Sequence, residues 1–147
     1  KGLFGALIVN PASNTVAINQ GGNIKAVPLS SIKKDYVLYI LDDTFAGTEI
    51  DNQTGQQTSA GFNPALSAQT GSNVRFHLIA LGTNFHQFKL PGYSWPDLAT
   101  ETIIEEKAIG PLEKHVVAIQ AGASSSYMDI TFAGIAQNMI GGFNVNP

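Results

Sequence analysis

Three side chains of this 147-residue chain carry an imidazole, His77, His86 and His115, and none carries a thiol. Without cysteine there is no disulfide, no thiolate zinc site and no iron–sulfur cluster. A blue-copper centre, which depends on a Cu–thiolate bond, is excluded on the same ground. His115 opens the run HVVAIQA and has no partner at metal-ligand spacing. Glu101, Glu105 and Glu106 could mimic paired catalytic carboxylates, but they stand in a polar segment and read as a solvated edge. Ser124, Ser125 and Ser126 have no histidine nearby in sequence and read as a turn. No nucleophile elbow, phosphate-binding loop, dinucleotide fingerprint or zinc-protease helix occurs. Asn52-Gln53-Thr54 is a sequon that a glycosylating host could use.

The elements that must position these groups are strands. Short apolar or alternating runs occur at residues 5–9, 36–41, 74–81, 115–121, 127–132 and 142–145, bounded by Gly, Pro, Asn or Ser. In the third run Val74, Phe76, Leu78 and Ala80 share one face. In the fifth, Met128, Ile130 and Phe132 alternate with Tyr127, Asp129 and Thr131. Helical periodicity is nearly absent; residues 96–106 could hold a short helical turn, although Ile103 and Ile104 suit a strand equally well. Residues 48–63 read as the longest polar loop, with Gly55 and Gly61 available for left-handed backbone. The expected fold is an all-β, two-sheet Greek-key sandwich with long loops at one end.

Residues 74–95, VRFHLIALGTNFHQFKLPGYSW, resemble the passage V-R-F-H-x-x-x-L-G-x-x-F-H-x-F-H-x-H-G-H-x-W of multicopper oxidases. Val74, Arg75, Phe76, His77, Leu81, Gly82, Phe85, Phe88, Gly92 and Trp95 match its scaffold. Of its four ligand positions only His86 keeps histidine; the others are Lys89, Pro91 and Tyr93. Residues 1–11, KGLFGALIVNP, are similar to the last strand of a preceding cupredoxin domain in that family, and residues 127–145 resemble its C-terminal copper motif. There Met128, Asp129 and Ile130 stand for His-Cys-His, and Gly134 for a later histidine, while Tyr127, Met139, Gly141 and Val145 match.

The resemblance implies a cupredoxin-like domain with degenerate ligand motifs. It puts His86 at a type 1 copper histidine and Met139 at the axial thioether, so these two are the candidate metal remnants. A thiolate-free site would combine them, with Asp129 as a further donor. The competing readings are an imidazole satisfied by a backbone partner and a thioether filling the core, since one imidazole holds copper poorly. His77 falls where the family often has a histidine that is not a ligand. Lys89, Pro91 and Tyr93 remove the paired ligands of a trinuclear cluster and bring in a cation, so that face is expected to pack against another domain.

Composition agrees with a single β domain: 44% hydrophobic and 13% charged residues, 15 glycines and 7 prolines. A net charge of −3 with no basic run gives no footprint for nucleic acid, and no apolar run has the length of a membrane span. Residues 1–11 are expected as the terminal strand of a preceding domain, 12–31 as a linker and 32–147 as the domain itself. Lys1 is not a natural start, so a leader or a further domain is expected upstream. Three functions stay open. The first is a copper-free structural domain of a secreted or periplasmic multicopper-oxidase-like protein, holding no cofactor while its parent holds copper. The second is an extracellular assembly or binding module, including a homo-oligomer. The third is an oxidase or nitrite-reductase-like subunit that completes a copper site with another chain's ligands.

Overall fold

In the computed structural model, residues 4–147 are described, and they form a β-sandwich of two five-stranded sheets. One sheet has the order β12 (Lys114–Gln120), β7 (Asn73–Ala80), β3 (Ile32–Ile40), β4 (Phe45–Asp51) and β5 (Gln57–Phe62). The other runs β11 (Glu106–Ile109), β8 (His86–Lys89), β13 (Ser125–Asp129), β14 (Ile140–Asn146) and β6 (Leu66–Gln69). The pairs β3–β7 and β14–β6 are parallel, and every other pairing in the two sheets is antiparallel.

The core follows from period-two patterning. Val74, Phe76, Leu78 and Ala80 all face inward and are fully buried, as their alternation predicts. Tyr36, Leu38 and Ile40 of β3 lie beside them, and Phe88, Tyr127 and Phe143 come from the opposite sheet. The rings interlock edge-on across the sandwich, with Tyr36–Phe143 centroids 6.1 Å apart and Phe45–Tyr127 5.1 Å apart. Burying each such side chain is worth roughly 1.5–3 kcal/mol. Strand β3 is buried on both faces: Val37 and Tyr39, with Ala46, make a second cluster on the outer side of their sheet, which Ile8 joins.

Several local expectations change. Residues 4–10 form no strand; they pack on the outer face, where the Phe4 and Tyr39 ring centroids are 4.5 Å apart. Residues 1–3 of the expected terminal strand lie outside the described residues. The stretch read as a linker, residues 12–31, contains a hairpin of β1 (Thr15–Gln20) and β2 (Asn23–Pro28), followed by a 3-10 turn at Leu29–Ser31. Its two-residue turn, Gly21-Gly22, has φ of 62° and 86°, the mirror-image geometry that matches strand twist. Ile18 is buried, so the hairpin belongs to the folded unit.

The polar loop at 48–63 becomes the second half of β4, a tight turn and β5; Gly55 and Gly61 take the left-handed backbone expected of them. Residues 96–106 hold no helical turn but an antiparallel pair, β9 (Trp95–Asp97) with β10 (Thr102–Ile104). The fifth run stops at Asp129. Thr131 then caps α1 (Phe132–Ala136), its hydroxyl accepting from the Gly134 amide at 3.0 Å.

Candidate functional site

Strand order sets where the chemistry-bearing side chains meet. Strand β8 lies between β11 and β13; Asp129, the last residue of β13, pairs with Phe88, two positions along from His86, the first residue of β8. Inward alternation buries His86 and Phe88 and turns Gln87 and Lys89 outward. His86 Nδ1 donates to Asp129 Oδ2 at 2.7 Å, and each residue is only 2% exposed. The other carboxylate oxygen, Oδ1, accepts from the Gln87 and Thr131 amides, both at 3.0 Å. Burial works to raise the Asp129 pKa, but the hydrogen bonds from His86 and the two amides outweigh it and hold the carboxyl below its ordinary value. The ionised carboxylate only accepts, so the imidazole proton sits on Nδ1. His86 Nε2 is buried and has no partner among the described residues.

Met139 reaches the same end of the sandwich through its backbone. Its carbonyl accepts the Asp129 amide at 3.1 Å and its amide donates to Gly134 at 2.9 Å, while its side chain belongs to the main core. His86 and Asp129 bond directly, whereas Met139 joins them only through its backbone. The reading of His86 as an imidazole with a backbone partner is corrected, because the partner is a carboxylate.

These residues do not fit a type 1 copper ion. Such a site takes a thiolate, two imidazoles and a weak axial ligand. Here His86 Nδ1 carries the proton given to Asp129, both carboxylate oxygens are engaged, and the unpartnered Nε2 leaves only one imidazole donor. Helix α1 is also packed directly on the carboxylate: a Cβ built on Gly134 would lie 2.3 Å from Asp129 Cγ. Among the described residues no three His, Cys, Asp or Glu side chains form a metal-binding group.

The other positions have structural partners. Lys89 pairs with Glu106 at 3.6 Å. The Tyr93 hydroxyl donates to the Ala123 carbonyl and accepts from the Gly122 and Ala123 amides at 3.0 Å, tying two loops together. Beside it lies an open depression of about 440 Å3 lined by Asn19, Pro91, Tyr93, Ser94, Gln120 and Ala123. Ser124 and Ser125 brace loops through Val145 and Pro91. Glu101, Glu105 and Glu106 are exposed, in keeping with a solvated edge.

His115 accepts a hydrogen bond at Nε2 from the Trp95 indole at 3.0 Å. Burial, with a smaller contribution from Lys107, lowers its pKa against the opposing pull of Asp97.

Sequence reasoning missed one polar cluster on the outer face of β3 and β7. Asp35 accepts from Arg75 Nε at 2.6 Å and Nη2 at 3.2 Å, from Asn52 Nδ2 at 2.7 Å, and bonds His77 Nε2 at 2.7 Å. Arg75 Nη2 also donates to Asn10 Oδ1 at 3.2 Å, which pins the N-terminal segment to the sheet. Burial opposes ionisation of Asp35, but the bonds from His77, Arg75 and Asn52 hold its carboxyl well below the usual range. The signal was present: an aspartate inside an apolar strand, and Arg75 and His77 on the same alternating face.

The architecture is that of a cupredoxin-like domain. Solved structures share it at low identity. The blue copper oxidase from Nitrosomonas europaea matches with TM-score 0.54 and 14% identity over 80% of this chain and 45% of its own. The multicopper oxidase mgLAC gives 0.56 and 13% over 80% and 45%. Copper nitrite reductase from Nitrosomonas europaea gives 0.57 and 14% over 78% and 50%. The chain spans about half the length of these three proteins. No protein-family model matches it, and no curated protein is similar to it.

Proposed function

We propose that this chain is a non-catalytic, copper-free cupredoxin-like domain of a larger, secreted or periplasmic multicopper-oxidase-like protein, with a role in packing one domain against another. The observation that carries this reading is the N-terminal segment 4–10. It makes no ladder pairing, and it leaves Leu7 89% and Val9 81% exposed on an apolar ridge. Unpaired backbone with exposed apolar side chains suits addition to a sheet edge elsewhere, and the resemblance of residues 1–11 to a terminal strand agrees. Lys89, Pro91 and Tyr93 supply no cluster ligands and suit a packing face.

A second reading, an extracellular assembly module or homo-oligomer, is favoured by a different observation. Phe85, Leu112, Phe132 and Ile135 are all exposed, the first two in loops and the last two in α1, at the same end of the sandwich as His86. The closed His86–Asp129 pair argues against a subunit that shares copper with another chain.

The deciding experiment is a copper titration of the purified chain, with metal analysis after dialysis and His86→Ala as the control. No retained copper in either protein is the expected result. Stoichiometric copper lost on substitution would overturn the copper-free reading.

A further inference from the structure

We propose that the His86–Asp129 hydrogen bond replaces a metal ion as the tie that closes this end of the sandwich. The proposal rests on the copper-free reading and deepens it. Asp129 stands where the resemblance puts the copper thiolate, and His86 stands at a copper imidazole; here the two side chains bond to each other at 2.7 Å. One carboxylate thereby gathers three pieces of chain. It takes the His86 side chain and the Gln87 amide from β8, and the Thr131 amide from the turn into α1. Gly134 of α1 closes over it, with no room for a Cβ. The Asp129 amide is meanwhile bonded to the Met139 carbonyl at the start of β14, and the Ile130 amide to the Gln87 carbonyl at 2.9 Å.

The conformation of residues 130–139 is therefore fixed by protein atoms alone. Helix α1 is held with Phe132 90% and Ile135 68% exposed. The bond opposes copper at Nδ1: an incoming ion there would have to take the Nδ1 proton and separate a buried, charge-assisted bond, and Nε2 alone is a single donor.

The tie predicts a protonation pattern and an energetic coupling. In imidazole 15N spectra above neutral pH, His86 carries its proton on Nδ1. In Asp129→Asn, the amide keeps its oxygen toward the Gln87 and Thr131 amides and turns its NH2 to His86, so the proton moves to Nε2. Equilibrium unfolding of His86→Ala and Asp129→Ala shows the folded-to-unfolded ratio falling by roughly a hundredfold in each, with the double variant little worse than either. If the alanine variants do not fold, Asp129→Asn carries both measurements.

A wild-type Nε2–H tautomer, or single variants within about threefold of wild type, would overturn the tie and leave the copper-free reading standing. Copper retained through dialysis by the wild type would sink both.

Discussion

A buried polar side chain is tolerable only when its partners are in place, and two sites in this domain show how strictly that holds. Trp95, the only tryptophan, donates its indole proton to His115 Nε2, which requires a neutral ring. Burial lowers the His115 pKa, so the folded state binds fewer protons than the unfolded chain, whose histidine titrates near about 6.5. This contribution to stability is complete above that value and is lost as pH falls through the folded pKa. Acid titration is expected to change Trp95 fluorescence along with this loss, and His115→Gln should remove the transition. Asp35 is the second case. Asp35→Asn leaves the Arg75 guanidinium buried without its counter-charge, so a loss of about 3–5 kcal/mol is expected in urea unfolding. A change below 1 kcal/mol would mean that Arg75 finds water or another acceptor.

At the scale of elements, close approach matters as much as hydrogen bonding. Strands β13 and β14 pair Tyr127 directly with Gly141, and the Tyr127 ring lies where a side chain at 141 would go: a Cβ there would come within 2.1 Å of the phenolic oxygen. That oxygen donates to the Pro64 carbonyl at 2.6 Å, joining the β5–β6 connection to the core. Gly141→Ala therefore has to displace the ring and break the bond, at an expected cost of about 2–3 kcal/mol by chemical denaturation. Gly142→Ala is the control, because a Cβ at that position meets nothing closer than 3.6 Å. The N-terminal segment follows a different logic: Phe4, Ile8 and Asn10 hold it to the outer sheet by side chains alone.

At the scale of the whole molecule, exposed apolar side chains include the ridge at Leu7 and Val9 and the group at Phe85, Leu112, Phe132 and Ile135, besides others such as Phe62 and Leu98. On the proposed packing role, the isolated domain is expected to self-associate. Sedimentation at rising concentration should show dimers or larger species, and Leu7→Asp with Val9→Asp should reduce them. A monodisperse monomer in both proteins would mean that the ridge is not adhesive by itself. Among the described residues no helix is long and apolar enough to cross a membrane, so the ridge is not part of a helical span.

The sequence by itself determined the all-β class, the inward face of β7 and the absence of thiolate chemistry, because period-two patterning and residue inventory are local properties. The β1–β2 hairpin was equally local, announced by Gly21-Gly22 between two alternating runs, yet it was read as linker on polarity. Tertiary structure decided the rest. Strands β8 to β11 have only three or four residues each, too few for a pattern, and exist through their pairing partners. His86 and Asp129 are 43 positions apart, and only the β8–β13 ladder makes them neighbours. Residue types showed that the chain has no thiolate, but burial and geometry decided the role of Asp129: a buried carboxylate whose charge is held by an imidazole and two amides.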